Sequence, residues 1–296
     1  MSRSDRRTVI YDTTLRDGMQ GQGISYTLED KVQIALAMDE FGIDYIEGGF
    51  PLSSRKEAEF FQRMRSEKLR HARVVAFGST RKPNVKAATD PQVTALLKAE
   101  TPTVIAVGKT WKAHVREVLQ TTEEENLAMI EDSLSALKAA GREVFYDAEH
   151  FFDGYKDDPA YALATLRAAR RGGADCVVLC DTNGGTLPVE VARILSELPL
   201  AELGQVGVHT HDDTGNAVAN ALVALQHGAT HVQGTVNGWG ERCGNLNLCT
   251  LIPTLCLKMG DGATCCASLK SLTALSRFVA EKANIIPDKR WPYVGE

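Results

Sequence analysis

The sequence lacks the features that identify membrane, secreted and nucleic-acid-binding proteins. No stretch approaches the ~20 apolar residues that a membrane-spanning helix needs. There is no long run of lysine or arginine and the net charge is −5, which argues against a nucleic-acid or anionic-membrane partner. The N-terminus has no apolar segment before its first strand-like run, so we expect no secretory signal. These absences favour a cytoplasmic location.

Paired cysteine motifs are also missing, although the chain has seven cysteines. None of them forms a C-x-x-C pair, and their odd number favours reduced thiols in a cytosolic protein. Cys176 and Cys180 lie in an apolar run and are interpreted as buried packing residues. The apolar share of 44% and the charged share of 24% are ordinary for a globular protein with a substantial core.

Short β-rich runs alternate with helical patterns along the chain. Several runs are almost continuously apolar, as expected for parallel strands covered on both faces. Eight such runs span residues 8–14, 45–50, 73–80, 103–109, 143–151, 176–182, 205–211 and 231–238. This rhythm predicts an α/β fold, the (β/α)₈ TIM barrel. A doubly wound open sheet is the rival, but no G-x-G-x-x-G motif follows the first strand.

The helical patterns carry recognisable start and stop residues. The pattern over 27–42 opens on Thr27 as a predicted N-cap. The pattern over 121–141 opens on Thr122, which we expect to form a capping box with Glu125. Each of these two patterns ends on a glycine, the residue that most often follows a helix.

The chain is expected to divide into a catalytic barrel over 1–262 and a C-terminal helix and tail over 263–296. One more helix is predicted over 268–287. Its apolar stripe could pack on a partner or on the barrel, and it consists of Leu269, Leu272, Leu275 and Phe278.

Charged and hydrogen-bonding residues concentrate where the strand runs end, which is where barrel enzymes place their chemistry. In chain order they include Arg16, Asp17, Glu47, Asp147, Glu149, His150, Asp181, Thr182 and Asn183. The seventh run ends in "HTHDD" and the eighth continues into "NGWGERCGN". This clustering predicts an active site at one rim of the barrel.

His209 and His211 are two residues apart on a predicted strand, so both imidazoles face the barrel lumen. Together with Asp17 they can ligate one divalent metal ion. The alternative is that they only satisfy hydrogen bonds at a strand end. A mixed nitrogen and oxygen set suits Mg²⁺, Mn²⁺ or Zn²⁺ acting as a Lewis acid, and the eight β/α units argue against a non-haem iron oxygenase.

The other rim residues allow two interpretations each. Arg16 either forms an ion pair with Asp17 or polarises a substrate carbonyl. Glu149 is either a structural ion-pair partner, for example of Arg16, or a group that transfers protons or positions water. Thr182 either donates to a substrate carboxylate or caps the helix that begins near Leu187. The "GERCGN" segment is interpreted as a binding loop.

Three motifs, "DTTLRDGMQ", "HTHDD" and "NGWGERCGN", resemble those of the DRE-TIM metallolyases. This family includes 2-isopropylmalate, homocitrate and citramalate synthases, 3-hydroxy-3-methylglutaryl-CoA lyase and some aldolases. The "GERCGN" segment is similar to that of the synthases. The segments "FGSTRKP", "YDAEHFFDGYKDDP" and "CDTNGGTLP" are most similar to the citramalate synthase branch.

The resemblance implies a function for the rim residues. The implied metal ligands are Asp17, His209 and His211, with Asn245 as a fourth or neighbouring member. The residues implied to bind a 2-oxo acid are Arg16, Asp147 and Thr182, and Glu149 is implied to be the catalytic acidic residue alongside Arg16. The implied reaction joins acetyl-CoA to a 2-oxo acid, and pyruvate would give citramalate for amino-acid biosynthesis. A homodimer is implied as well.

Two departures from the family keep other functions open. Longer members continue into a helical subdomain that contributes to the partner's site and into a regulatory domain, so we expect no feedback inhibition of this chain. Phe50 and Leu52 stand where the branch more often has tryptophan and glycine, and we expect them to reshape the pocket wall. The alternatives are condensation with another 2-oxo acid, cleavage of the lyase or aldolase type, and a metal-binding barrel without catalysis.

Overall fold

Eight parallel strands form a closed barrel in the order of the chain, with the eighth strand pairing with the first. The computed structural model describes residues 7–296; the first six residues, which also bear on the predicted absence of a signal peptide, lie outside the described residues. The strands are β1 (Val9–Asp12), β2 (Tyr45–Gly49), β3 (Arg73–Ser79), β4 (Thr103–Lys109), β5 (Glu143–Glu149), β6 (Cys176–Asp181), β7 (Gln205–Thr210) and β8 (His231–Gly234). All eight predicted runs contain a strand, so the barrel prediction is confirmed and the open sheet is excluded.

Twelve α-helices are found among the described residues, most of them packed around the outside of the barrel. They are α1 (Leu28–Phe41), α2 (Arg55–Met64), α3 (Pro91–Lys98), α4 (Lys112–Glu117), α5 (Glu123–Ala139), α6 (Phe151–Asp157), α7 (Pro159–Arg171), α8 (Pro188–Glu197), α9 (Leu200–Leu203), α10 (Ala217–Gln226), α11 (Leu248–Thr254) and α12 (Leu272–Lys282). Within residues 7–296, no helix combines the length and the apolar character needed to cross a membrane.

Local capping signals set the ends of the two helices predicted most clearly. Thr27 and Asp30 form a reciprocal capping box at the start of α1. Thr122 accepts a hydrogen bond from the backbone N–H of Glu125 at the start of α5. The predicted capping box is only half formed there, because the Glu125 carboxylate instead accepts hydrogen bonds from Arg81 and from the backbone of Asn84.

The core has two layers, separated by the barrel wall. One layer lies between the strands and the surrounding helices and contains most of the buried leucine, isoleucine and valine side chains. The other fills the lumen and consists of Tyr11, Val75, Ile105, Phe145, Cys176, Val178 and Cys180. The lumen is therefore packed with side chains. The apolar floor of the barrel consists of these residues, and the polar rim residues lie directly above it, at the carboxyl ends of the strands.

The C-terminal segment differs in detail from the predicted helix. A 3₁₀ segment runs over Thr264–Ser271, and the α-helix begins only at Leu272 and ends at Lys282. Leu272 and Leu275 are buried in the same core as the barrel residues, so the apolar stripe packs on the barrel. The boundary between 1–262 and 263–296 stays a prediction.

The prediction that all the cysteines are reduced is wrong for one pair. Cys256 and Cys266 form a disulfide with their Cα atoms 5.6 Å apart. The chain reverses between them, and a sequence separation of ten residues carries no short motif from which this contact could be predicted. Cys176 and Cys180 are buried free thiols, as predicted, and burial raises the pKa of both well above the usual value.

Candidate active site

A cavity of about 540 Å³ opens among the carboxyl ends of the strands. Seven of the eight predicted site residues line it: Arg16, Asp17, Asp147, Glu149, Thr182, His209 and His211. The eighth, Asn245, forms a backbone bridge with His211 just beside it. The structure therefore brings together residues from five strand ends that are as much as 229 positions apart in the sequence.

Three buried side chains converge at the bottom of this cavity. The Nε2 atom of His209 lies 3.3 Å from Nε2 of His211 and 3.4 Å from Oδ2 of Asp17. One potential ligand atom from each residue lies within 4.8 Å of the other two. The convergence of two imidazole nitrogens and a carboxylate oxygen away from solvent fits a divalent metal ion.

The charges of this cluster are strongly coupled. Burial opposes ionisation of Asp17, but the adjacent Arg16 and the two imidazoles outweigh it and hold the pKa of Asp17 below its usual range. Burial also opposes protonation of His209, but the Asp17 carboxylate raises the pKa of His209. Burial, followed by the charge of His209, lowers the pKa of His211 to about 4. A cation is therefore favoured between these groups.

The loop after β8 carries Asn245, which forms a backbone bridge with His211 of the cluster. The Asn245 side chain is 2% exposed, and its Oδ1 atom is buried without a hydrogen-bond partner. An orphaned amide oxygen beside the cluster fits a further oxygen ligand. Gly244 adopts φ +101°, and a Cβ there would lie 2.1 Å from the carbonyl oxygen of Gly238, so the loop requires glycine at this position.

Arg242 anchors the same loop to the neighbouring strand ends. Its guanidinium bonds both carboxylate oxygens of Asp213, at 2.8 and 2.9 Å, and its Nη2 atom donates to the carbonyl oxygen of Thr182. The segment "GERCGN" thus links the ends of β6, β7 and β8, and its interpretation as a binding loop stays a prediction.

Arg16 is a buried cation with partners on several sides. Its Nη1 atom lies 3.2 Å from Oδ2 of Asp17, as predicted, and its Nε atom donates to Glu47 at the end of β2. The Phe77 ring lies 4.0 Å from the guanidinium carbon. The suggested pairing of Arg16 with Glu149 is wrong, because Glu47 occupies that position.

Glu149 instead forms an ion pair with Lys109. These residues are direct neighbours across β4 and β5, so the pairing follows from strand register. Thr182 accepts a hydrogen bond from the backbone N–H of His150 through its hydroxyl oxygen, at 2.9 Å. The alternative in which Thr182 caps the next helix is wrong, since α8 begins after Leu187, whose N–H is bound by Glu190.

Asp147 contacts Gln233, which the sequence analysis did not single out. Gln233 Nε2 donates to Asp147 Oδ1 at 3.1 Å, and Gln233 Oε1 lies 2.8 Å from Nδ1 of His209. Burial raises the pKa of Asp147 to about 7. A polar residue within the apolar run "HVQG" was the available signal for Gln233, as the terminal lysine of "TVIAVGK" was for Lys109.

The remaining wall of the cavity is mixed: Leu15, Phe50, Phe77 and Val107 are apolar, whereas Ser53, Lys56 and Glu241 are polar or charged. The rings of Phe50 and Phe77 meet edge to face with their centroids 5.9 Å apart. Phe50 therefore shapes the pocket, as predicted. The same expectation is wrong for Leu52, which is 44% exposed and borders a different groove.

Similarity to known proteins covers nearly the whole chain. The HMGL-like family profile matches residues 7–279. The chain is 53% identical over 291 residues to (R)-citramalate synthase of Aquifex aeolicus, covering 98% of the chain and 55% of that protein. It is 52% identical to (R)-citramalate synthase of Geobacter sulfurreducens, covering 97% and 54%. A probable 2-isopropylmalate synthase of Methanopyrus kandleri is 36% identical, covering 98% and 55%.

The chain thus spans about half the length of the curated relatives that it matches. Among solved structures, HMG-CoA lyase of Bacillus subtilis superposes with a TM-score of 0.80 at 19% identity, covering 95% of each chain. At such low identity this likeness shows only the shared barrel. The profile match and the identity to the synthases carry the classification: the chain belongs to the HMGL-like family.

Proposed function

We propose that the chain condenses acetyl-CoA with a 2-oxo acid, and that the acid is pyruvate, so that citramalate and CoA are formed. The observation that carries the proposal is the convergence of Asp17, His209 and His211 on a cavity whose wall also holds the buried cation Arg16. Relatives that are about half identical are named (R)-citramalate synthase, which supports this choice of substrates.

A divalent ion would be held by Asp17, His209 and His211, with Asn245 as a further oxygen donor. The buried mixed set of ligands and the unpartnered Asn245 oxygen fit such an ion, and they fit Mg²⁺, Mn²⁺ or Zn²⁺ alike. When bound, the ion would supply Lewis-acid polarisation of a chelating 2-oxo acid.

Arg16 and Thr182 orient the 2-oxo acid. The Arg16 guanidinium places a fixed positive charge beside the ketone oxygen, where negative charge develops as the new carbon–carbon bond forms. Thr182 already accepts a hydrogen bond from His150, so its own O–H is available to donate to the substrate carboxylate. Glu47 and Phe77 keep Arg16 in place, so little reorganisation is needed during the reaction.

Glu149 provides the carboxylate for proton transfer. It takes a proton from the methyl group of acetyl-CoA, and the resulting carbon nucleophile attacks the ketone carbon of the acid. The ketone oxygen becomes a hydroxyl group by taking up a proton. Water then cleaves the thioester, which releases CoA and leaves the second carboxylate of citramalate. Lys109 holds Glu149 at the rim of the cavity through their ion pair.

The apolar part of the wall favours a small acid without a second charge. Phe77 and Val107 present hydrocarbon to the cavity, which suits the methyl group of pyruvate. The distal carboxylate of 2-oxoglutarate would need a cation. Besides Arg16, the cavity wall holds Lys56, and its ammonium group already donates to the backbone carbonyl of Tyr26 at 3.0 Å. The branched chain of 3-methyl-2-oxobutanoate would need more room beside Phe50 and Phe77.

The test is release of CoA from acetyl-CoA by the purified chain, with Mg²⁺ or Mn²⁺ and with each of these three acids in turn. CoA and the acid product are separated by chromatography, because the exposed thiol of Cys243 would react with a thiol reagent. We expect stimulation by pyruvate and formation of citramalate. His209→Ala should abolish the stimulation, whereas His227→Ala, on the rim-distant end of α10, should retain it.

Stimulation by a different acid would replace pyruvate but retain the condensation. If no acid stimulates CoA release, the proposal fails for this chain. Cleavage of citramalate or of a hydroxyacyl-CoA in the same preparation would then identify the lyase type of reaction.

We further propose a homodimer, which the family resemblance implies. Sedimentation equilibrium of the purified chain measures its mass directly against the monomer mass of 32.2 kDa. A single species at the monomer mass over the micromolar range would contradict the dimer.

A further inference from the structure

Gln233 lies inside the barrel with both ends of its side-chain amide in use. It is fully buried on β8 and stands directly opposite His209 in the register of β7 and β8. Its Oε1 atom lies 2.8 Å from Nδ1 of His209, and its Nε2 atom donates to Oδ1 of Asp147 at 3.1 Å. The amide therefore bridges β5 and β7 across the lumen.

The Asp147 carboxylate decides which way this amide faces. A carboxylate oxygen attracts the NH₂ group of the amide and repels its oxygen, so Gln233 presents Oε1 to His209. An amide oxygen can only accept a hydrogen bond. The Nδ1 atom of His209 must therefore carry the hydrogen, and the neutral ring then keeps an unprotonated Nε2. That Nε2 atom faces Asp17 and His211.

We propose that Gln233, oriented by Asp147, is a positioning residue that holds His209 in the tautomer whose Nε2 can bind a metal ion. The inference rests on the metal site of the proposed function. In this inference, Gln233 and Asp147 order the site without binding the metal ion themselves. An outer hydrogen bond to the remaining ring nitrogen is a recurrent way to orient a ligating histidine.

The neighbouring histidine provides a contrast within the same site. The Nδ1 atom of His211 is buried and has no hydrogen-bond partner. When Nε2 of His209 is unprotonated, it accepts the hydrogen bond from Nε2 of His211, 3.3 Å away, so without metal the hydrogen of His211 lies on Nε2. We therefore expect metal binding to move the hydrogen of His211 to Nδ1, while His209 keeps its hydrogen on Nδ1 throughout.

The first experiment reads the tautomers directly in the metal-free chain. Protein labelled with ¹⁵N-histidine is studied by long-range ¹H–¹⁵N correlation at a pH where the imidazoles are neutral, and the His209 signals are identified by their loss in His209→Gln. We expect a hydrogen on Nδ1 in the wild type. A hydrogen on Nε2, or an even mixture, would overturn the proposal.

The second experiment measures metal affinity by calorimetry in matched variants. Gln233→Met keeps the side-chain volume but removes both hydrogen bonds, and Asp147→Ala removes the acceptor so that the amide can turn over. Each should weaken metal binding by about 10- to 100-fold. Asp147→Asn keeps an acceptor oxygen and should stay within a few-fold of the wild type. Val178→Ala, a packing change in the same lumen, should have no effect.

The two experiments separate this inference from the proposed function. If the wild type binds no metal, the metal site of the proposed function is contradicted. The NMR measurement of the His209 tautomer then still tests whether Gln233 orients that histidine. If Gln233→Met does not fold, the pair Asp147→Ala and Asp147→Asn makes the same comparison. Equal metal affinity in that pair, with an unchanged His209 tautomer in both, would overturn the proposal.

Discussion

The proposed chemistry depends on a guanidinium that has been removed from water. Burying such a cation is costly unless charged partners and hydrogen bonds compensate. Arg16 has two carboxylate partners, and one of them, Glu47, is itself held by the hydroxyl of Tyr11 through a hydrogen bond of 2.6 Å. The hydrogen-bonded chain from Tyr11 to Glu47 to Arg16 thus connects the apolar floor of the barrel to the reacting centre.

Replacing Glu47 by glutamine removes the charge that holds Arg16 and keeps the shape of the side chain. We expect kcat/KM for the 2-oxo acid to fall about 10²-fold, a loss similar to that of one preorganised electrostatic contact. Tyr11→Phe should cause a smaller loss of the same kind. Glu59→Gln, at an exposed pair with Arg55, is the control. Steady-state kinetics that are unchanged in Glu47→Gln would show that Arg16 needs no such support.

A second buried carboxyl group, Asp12, makes stability depend on pH. It is fully buried and accepts two hydrogen bonds from Thr14, yet burial outweighs these bonds and raises its pKa to about 7, against 3.8 for the free group. Below about pH 4 the group is protonated in both states. As pH rises toward 7, the unfolded chain releases this proton first, so the group progressively lowers the free energy of unfolding, and above 7 its effect is constant.

We therefore expect the stability of Asp12→Asn relative to the wild type to increase between about pH 4 and pH 7 and then to level off. The full change is on the order of 4 kcal/mol, from about 1.4 kcal/mol for each pKa unit. Urea denaturation at a series of pH values measures it. Asp288→Asn, at an exposed position, should follow the wild type at every pH. A constant difference between Asp12→Asn and the wild type would contradict the assignment.

At the scale of the elements, the end of β2 is constrained both by its backbone conformation and by a buried ion pair. The register between β2 and β3 shifts between Glu47 and Gly49, and Gly49 adopts φ +139°. Directly behind Gly49, the buried Lys31 of α1 donates to both carboxylate oxygens of Glu57 on α2, at 2.8 Å each. The bulge turns Glu47 toward Arg16 and leaves space for this ion pair.

Gly49→Ala should therefore destabilise the fold strongly. The new Cβ would lie 1.7 Å from Oε2 of Glu57, so this carboxylate would have to shift and its bonds to Lys31 would weaken, in addition to the backbone strain. We expect a loss of about 3 kcal/mol in the free energy of unfolding, to which backbone strain contributes about 1 to 2 kcal/mol. Gly141→Ala, at φ +77° and with no atom within 4 Å of the new Cβ, should lose only about 1 kcal/mol.

Urea denaturation of Gly49→Ala in the wild-type and Glu57→Ala backgrounds separates the collision from the backbone strain. Glu57→Ala destabilises the fold by itself because it leaves the buried Lys31 unpaired, but in that background Gly49→Ala should add only the cost of backbone strain. An equal additional loss in both backgrounds would contradict the claim that the space at Gly49 is reserved for Glu57.

At the scale of the whole molecule, the local signals were sufficient for the architecture and for the clustering of Asp17, His209 and His211. The alternation of strand and helix patterns predicts the barrel, and the H-x-H spacing at the end of β7 places His209 and His211 on one face without any knowledge of distant contacts. Arg16 and Asp17 follow from the same argument at the end of the first run. These predictions depend only on periodicity and on the position of each residue within its own strand.

Contacts between elements could not be predicted in this way. Lys109 meets Glu149 because of the register of β4 and β5, and Gln233 meets Asp147 because their strands face each other across the lumen. The sequence contains neither the register nor the direction of a side chain within the lumen. The half-formed cap at Thr122 has the same origin, since Arg81 reaches Glu125 from another part of the fold.

Metal binding should couple the site to the stability of the whole barrel. The proposed ligands are far apart in the sequence, so the site exists only in the folded protein. Metal at 100 times its dissociation constant then adds about 2.7 kcal/mol to the free energy of unfolding. With an unfolding entropy of about 2.1 cal/mol/K per residue, Tm should rise by roughly 4 °C between chelator and metal. The shift should vanish in His211→Ala and persist in His227→Ala. Calorimetric scans that show an equal shift in both variants would place the stabilising ion elsewhere on the molecule.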